Sequence, residues 1–437
     1  MSNDRQSLVT NITRYGLPIV VGIFYLTASL GFDYTSESTF QLTSIVRSGA
    51  TFSGEGFPSP LWQFILTLGS WLHLNTLLAS KVLSLVFSCV AILVTYLIAN
   101  EVLRDRLIAF CVSLAMAMQG WLLQTAPSGS ALTLAITLTL AGLFFTLRNE
   151  YVVAPFMFGL CTLVFWQAVF LLVPLCLDIW MNSVSKQRSV KVVLSGCIVY
   201  LSALLPWVLY VWKNDVNGLP ILLQVSELPQ VSFPSWIVIT VLLAIACSGF
   251  VVGVRFSQDR METVRTNIGV MIFVIILAFL GIVYHAEVWI AVIPIIATYA
   301  FSGIAELLKR LGRPHVLYGT SLMLTGLLLV HLQFDYYRWN KAAMGAAIGR
   351  AGELRIVGEW LKLNSVVSHT VCAERPFALA YCAERPVALI GNHDESCGDL
   401  IVTSRREVAG YDVVFTPEPV HESSGIPLEH YTVWRRR

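Results

Sequence analysis

Three carboxylates, Asp33, Glu37 and Glu55, fall in one polar stretch between the first and second long apolar runs, inside the segment Asp33 to Trp62. A carboxylate held just outside lipid can take a proton from a hydroxyl. A membrane enzyme acting on a lipid-linked substrate would place its general base in such a loop. Asp33 and Glu37 are four residues apart, so on a helix they would share a face. Phe40 to Val46 fits one or two amphipathic turns lying on a membrane surface. The stretch ends Gly56-Phe57-Pro58-Ser59-Pro60-Leu61-Trp62, where two prolines stop a helix and Trp62 suits the interface as an anchor, with stacking on a sugar as the lesser reading. Glu55 fits a hydrogen-bonding partner of the Gly54/Gly56 turn. The same stretch also reads as a solvated connector, since connecting loops are polar in general.

The elements that must position this loop belong to a membrane bundle. Of 437 residues, 56% are hydrophobic and only 13% charged, with a mean hydropathy of +0.70. That balance defines a polytopic α-helical membrane protein. The net charge of +2 comes from basic residues scattered between apolar runs, which excludes nucleic acid as a partner. Met1 to Arg14 is polar and leads into an apolar run without a small-residue cleavage site, so the first span is expected to be retained.

Apolar runs long enough to cross lie near 15–32, 79–100, 107–124, 130–147, 151–164, 166–181, 191–212, 234–255, 265–284, 287–307 and 316–333, about eleven spans. The run 59–74 is short and opens with Ser59-Pro60, so it is expected as a re-entrant or surface helix. With that choice Arg5, Arg14, Arg104, Arg106, Arg148, Lys186, Arg188, Lys191, Arg255 to Arg265, Lys309, Arg310 and Arg313 share one side, which the positive-inside rule makes cytoplasmic. Counting 59–74 as a crossing would scatter them. The opposite face then carries loop 33–62, the turn Thr125 to Ser130, the turn at Trp166-Gln167, the loop Lys213 to Phe233, and His285 to Glu287. Asp178, near the cytoplasmic end of its span, is expected to snorkel.

The expected boundary between domains lies near residue 334, with a transmembrane domain over 1–334 and a small water-soluble α/β domain over 335–437 on the non-cytoplasmic side. Residues 343–364 show helical spacing, and strands are expected near 369–373, 378–382, 387–391, 399–403, 411–415 and 430–434. Within them Cys372-Ala-Glu-Arg-Pro-Phe-Ala-Leu repeats ten residues on as Cys382-Ala-Glu-Arg-Pro-Val-Ala-Leu. Read as successive strand-turn units, the repeat brings Cys372 and Cys382 together for a disulfide, with Cys382–Cys397 as the rival pairing. The six cysteines inside apolar runs read as small hydrophobes. No Cys or His spacing suggests a metal site, and Asn392-His393-Asp394-Glu395 reads as a turn.

Three stretches resemble the polyprenyl-phosphate-dependent glycosyltransferases of the GT-C superfamily, the group of bacterial protein O-mannosyltransferases and arabinofuranosyltransferases. The loop end Gly54-Glu55-Gly56-Phe57-Pro58-Ser59-Pro60-Leu61-Trp62 is similar to their E-G-[YF]-T-S-P-L-W segment. Thr125 to Phe145 looks like their third-to-fourth span turn, and Val357-Gly-Glu-Trp-Leu-Lys-Leu-Asn running on to Phe377-Ala-Leu-Ala-Tyr-Cys is similar to their tail module. The resemblance implies inverting transfer of a sugar from a polyprenyl-phosphate donor to a glycan, lipid or protein of the cell envelope. It implies a bacterial inner-membrane location with a periplasmic tail, membrane lipid and other protein subunits as partners, and Asp33 or Glu37 as base. The departing lipid phosphate needs a cation, supplied by a side chain such as Lys213 or His285 or by a divalent metal. Family charges are missing at several places. Ser128-Gly129-Ser130 stands where the family has Gly-x-Glu, Trp166-Gln167-Ala168 where it has Arg-Pro-Asp or Arg-Pro-Glu, and Glu287 where an arginine opens a span. The resemblance therefore also admits a catalytically inactive subunit or lipid-binding scaffold.

Overall fold

The computed structural model describes residues 3–29, 39, 43, 57–103, 105–182, 186–214, 220–221, 272–277, 291–292, 295–296, 298, 352–366, 368–374, 376–385, 387–389, 398–404, 408, 410–417 and 431–436. Helix α1 (Asn3–Ser29) is followed by the two-residue strand β1 (Phe57–Pro58) and α2 (Pro60–Trp71). Then come α3 (Thr76–Leu103), α4 (Arg106–Ala117), α5 (Gly120–Thr125), α6 (Leu132–Leu147) and α7 (Val153–Thr162). A 3-10 turn over Trp166–Leu171 leads into α8 (Leu172–Asn182) and α9 (Lys186–Asn214). The chain order of neighbours packs α3 on α4 and α6, α6 on α7, and α7 on α9.

The helix faces sort by what must cover them. On α1, Val20, Phe24 and Ala28 recur every fourth residue and are buried, while Ile19, Ile23 and Leu26 are more than half exposed. On α9, Leu194, Ile198, Leu201 and Leu205 form a similar open apolar stripe. Stripes of that length face lipid or another protein rather than water. Among the described residues two helical stretches are long and apolar enough to cross a bilayer, Thr76–Val102 and Val190–Leu209. Twelve residues of α2 rise only about 18 Å against a hydrocarbon core of about 30 Å, so α2 cannot cross, as its sequence suggested. The expected spans near 234–255 and 316–333 lie outside the described residues.

Local chemistry sets the helix ends. Asn75 opens α3 by accepting from the N–H groups of Leu77 (3.0 Å) and Leu78 (3.2 Å), and Asp105 opens α4 by accepting from Leu107 (2.9 Å) and Ile108 (3.2 Å), as N-caps do. The expected span 107–124 is broken at Gln119, whose backbone is extended. The expected span 166–181 begins as a 3-10 turn. Pro174 lacks an N–H and its ring crowds the carbonyl four residues back, so regular α-helix starts only at Leu172. Asp178 does not snorkel: it is buried and accepts a hydrogen bond from the Tyr151 hydroxyl at 3.1 Å.

The C-terminal residues form a five-stranded sheet from β3 (Val371–Ala373), β4 (Ala388–Leu389), β5 (Leu400–Thr403), β6 (Tyr411–Phe415) and β7 (Thr432–Arg436). Its order is β4-β3-β5-β7-β6. β3 is parallel to β4 and β5, whereas β7 is antiparallel to β5 and β6. Helix α10 (residues 352–364) sets Leu354, Val357 and Leu361 against Val371, Ala373, Val402 and Val433 in a core of their own.

The strand expected at 378–382 is instead helix α11 (Pro376–Ala383). Pro376 sits at its first position, where a missing N–H costs nothing, and the helix provides the crossover that parallel β3 and β4 require. Cys382 therefore rests on α11, its Cβ only 2.4 Å from where a Cβ on Gly358 would be. Cys372 is disulfide-bonded while Cys382 is a thiol, which corrects both expected pairings, Cys372–Cys382 and Cys382–Cys397.

Candidate active site at the loop end of the bundle

The two ends of the bundle differ in chemistry. One carries charges: Glu101 and Arg148 approach to 3.8 Å near Asp105 and Arg106. At the other end, among the described residues, hydroxyls and amides gather around Lys81. There the turn between α5 and α6 is laid over the start of α3. Ser80 Oγ donates to the Gly129 carbonyl at 2.7 Å, Ser84 Oγ to the Thr125 carbonyl at 3.3 Å, and Thr133 Oγ1 to Ser84 Oγ at 3.2 Å. Thr39, helical and fully buried, donates to the Ser128 carbonyl at 2.9 Å, and Thr43 donates back to Thr39 at 2.8 Å. This i to i−4 bond fits the helical turns expected around 40–46.

Gly129 makes the close approach possible. Its φ is +79°, and a Cβ there would lie 2.7 Å from Ser80 Oγ and 2.8 Å from Thr39 Cγ2. An L side chain is disfavoured on both counts. Beside it lies Lys81, only 7% exposed. Its stem is 3.4 Å from the same point.

The far end of the first loop is fastened to a second turn. Ser59 is buried in left-handed conformation (φ 43°) and donates from Oγ to the Val164 carbonyl at 3.1 Å. Leu61 N–H donates to the Leu163 carbonyl at 3.2 Å. Just before it, β1 pairs in parallel with β2 (Pro220–Ile221). The two loops placed on one face by charge alone, 33–62 and 213–233, thus meet.

On the outer side of α2 a groove of about 570 Å³ opens between α2, the end of α7 and α9. It is lined by Pro60, Phe64, Leu68, Leu163, Pro206 and Trp207 among others, with Gln63 and Thr67 as polar members. Phe64, Leu68 and Trp71 are themselves exposed, so the groove is open sideways, toward where lipid would lie. On the opposite side of α2, Trp62 is completely buried, with its ring 6.0 Å from Phe87. Trp62 is therefore part of the core, not the interfacial anchor its sequence setting suggested.

Of the other residues singled out by sequence, Asp33, Glu37, Glu55, His285 and Glu287 lie outside the described residues. Lys213 is helical near the end of α9. Among the described residues no three His, Cys, Asp or Glu side chains converge. Sequence reading passed over Lys81 because it sits inside an apolar run. The signal was there: an ionisable side chain within a span is costly and by default functional.

No protein-family model matches the chain, and no curated protein is similar enough in sequence to match. Solved structures do match. The chain superposes on ArnT from Cupriavidus metallidurans bound to undecaprenyl phosphate with a TM-score of 0.63 at 12% identity, covering 95% of this chain and 97% of that one. It superposes on the oligosaccharyltransferase AglB from Archaeoglobus fulgidus, in complex with an inhibitory peptide and a dolichol-phosphate, with a TM-score of 0.56 at 10% identity, covering 90% and 70%. The arabinofuranosyltransferase AftD from Mycobacteria matches with a TM-score of 0.56 at 11% identity, covering 97% of this chain and 40% of AftD. All three are GT-C polyprenyl-phosphate-dependent glycosyltransferases. At such identities the shared property is the fold.

Proposed function

We propose, from the premise that this chain has the GT-C fold of polyprenyl-phosphate-dependent glycosyltransferases, that it moves a sugar from a polyprenyl-phosphate donor to a hydroxyl of a cell-envelope acceptor on the non-cytoplasmic face of a bacterial inner membrane. In that reaction Asp33 or Glu37 takes the acceptor proton and the acceptor oxygen bonds to the anomeric carbon. The bond from that carbon to the phosphate oxygen breaks, and the polyprenyl phosphate leaves carrying the negative charge. Lys81 faces that charge, with the Ser80, Ser84 and Thr133 hydroxyls around it. Charge distribution in the sequence assigns Glu55, Lys213, His285 and Glu287 to the same face as substrate-binding residues. A divalent cation, where one is used, would be held through the loop carboxylates Asp33, Glu37 or Glu55.

The observation that carries the reading is a buried lysine in a hydroxyl-rich layer at the end of the bundle where the first loop is fastened. In a low-dielectric site a cation stabilises a leaving phosphate far more than a solvated one would. The sideways-open groove beside α2 suits an isoprenoid tail, and membrane lipid competes for it. The disulfide at Cys372 agrees with an oxidising compartment for the sheet, read as a periplasmic domain over 335–437.

Transfer measured in membranes tests the base: Asp33→Asn or Glu37→Gln abolishes it while leaving protein level unchanged. Activity kept by both variants would remove the assignment. The missing family charges at Ser128 to Ser130 and Trp166 to Ala168 favour one second reading, an inactive GT-C-like subunit or lipid-binding scaffold. That reading gains if the protein copurifies with a partner and no polyprenyl-phosphate sugar turns over.

A further inference from the structure

Helices cover one face of the C-terminal sheet, and among the described residues none covers the other. Val371 and Ala373 of β3 belong to the core that α10 and α11 complete, so Cys372 between them points the opposite way. There it stands in one cross-strand row with Ile401 and Trp434. These two form a second, smaller apolar cluster with Tyr411. Cys372, Ile401 and Trp434 are all buried, so this face is covered too.

Topology says which segment must cross it. β4 and β5 flank β3 on opposite sides, and all three are parallel. The crossover from β3 through α11 to β4 and the one from β4 to β5 therefore run in opposite directions. Parallel crossovers are right-handed almost without exception, and two of the same hand running opposite ways lie on opposite faces. Since α11 takes the first face, the rule sends the β4–β5 connection, residues 390–399, over the face of Cys372. That connection reads Ile-Gly-Asn-His-Asp-Glu-Ser-Cys-Gly-Asp. It is shorter than the dozen or more residues of an ordinary crossover and has too few apolar side chains to cover a sheet by packing.

We propose that Cys397, itself outside the described residues, is the disulfide partner of Cys372, and that this bond staples the second face of the sheet where the first has helices. Of nine cysteines in the chain, six are thiols, which leaves Cys247 and Cys397. Cys247 falls in the apolar run 234–255, expected to cross the bilayer. Gly398, next to Cys397, runs so close to β3 that a Cβ on it would lie 3.2 Å from Cys372 Sγ and 2.7 Å from the Thr370 carbonyl oxygen. Cys382 is on α11, behind the sheet, and does not compete. Leu77 of α3 packs against the helix-covered core, so the bundle meets this domain on the side away from the bond. That leaves the second face to an oxidant from the aqueous phase, and a protein disulfide is the class that fits. A thiolate of the pair attacks the oxidant's disulfide to give a mixed disulfide. The second thiolate then displaces the oxidant, which departs as a dithiol with the two electrons and two protons. Small domains with a modest core gain most from such a staple. The pairing stands whether or not the chain is an active transferase.

The test uses the full chain purified in detergent, denatured and alkylated without reductant, then mapped by mass spectrometry. The proposal expects every cysteine to be alkylated except Cys372 and Cys397, whose peptides appear linked. In Cys397→Ser, Cys372 becomes alkylated; in Cys382→Ser, the linked pair persists. Hydrogen exchange reads the staple itself. Reductant speeds exchange through β3, β5 and β7 about tenfold or more and leaves α3 and α6 unchanged. Cys372→Ser and Cys397→Ser each reproduce that increase, and the double variant adds nothing to it. Cys372 linked to any other cysteine, or alkylated in the unreduced wild type, overturns the pairing. Exchange in the sheet that ignores reductant overturns the staple. Should a variant fail to accumulate, mapping and reduction of the wild type decide both points.

Discussion

Polar side chains are buried at two places in this molecule, and the two differ in what those groups fasten, though both leave buried atoms unmet, as His369 Nδ1 and Trp434 Nε1 are in the sheet region. In the C-terminal sheet Glu374 accepts from the Thr403 hydroxyl and from Ser404 N–H (3.2 Å) and Oγ (3.0 Å). Arg385 donates to Ser365 Oγ (2.5 Å) and to the His369 carbonyl. These groups lie between elements and fasten them. At the loop end of the bundle the hydroxyls are bonded in the same spirit, yet two buried glutamines hold amide atoms that nothing among the described residues meets.

The contrast can be broken or sharpened by substitution. The largest effect is expected at Lys81. Lys81→Met should lower transfer per molecule of folded protein by about a hundredfold to a thousandfold, the loss typical of removing one group that stabilises developing charge. Initial rates at saturating donor measure it, and a drop below tenfold removes Lys81 from the phosphate. A smaller effect, on stability rather than rate, is expected in the sheet. Glu374→Ala strands two hydroxyls and an N–H, costing about 2–3 kcal/mol, seen as faster hydrogen exchange of β3 and β5 with little change in turnover per folded molecule. Were it to act on turnover alone, the fastening role of Glu374 would be wrong.

The smallest effect concerns Asp399, at the start of β5. Hydrogen bonds from Thr370 N–H (2.8 Å) and Oγ1 (3.0 Å) hold its carboxyl below the ordinary carboxylate range. A carboxyl lowered in the folded state contributes fully above its unfolded value of about 4. That contribution is lost as pH falls through the lowered folded value. Melting of wild type and Asp399→Asn across acid pH should differ above that value and converge below it. Parallel curves at every pH would show the Thr370 contact to be inert.

Much of this was legible in the sequence. Apolar runs gave α3 and α9, the two described helices long enough to cross, and the shorter apolar helices α6 and α7, within a few residues. The prolines in Gly56 to Trp62 marked the break that made α2 a short, non-crossing helix. Scattered arginines put the first loop and the loop after α9 on one face, and β1 does pair with β2. Lys81 and Gln119 were legible only as residue types out of place in apolar runs. Their burial, and the amides left without partners, depend on which turns fold over them.

The repeat in the tail shows where sequence stops. Cys-Ala-Glu-Arg-Pro-x-Ala-Leu occurs twice, and the copies adopt reversed structures. In the first, Cys372-Ala373 is strand and Ala378-Leu379 helix; in the second, Cys382-Ala383 is helix and Ala388-Leu389 strand. Residue order by itself determined a bundle of long apolar helices and the presence of a small strand-bearing tail. Tertiary structure decided which copy became which, since the copies differ only at Phe377 against Val387 and it is their neighbours that differ most. Ala373 is taken up between β4 and β5, while Cys382 meets Gly358 of a helix.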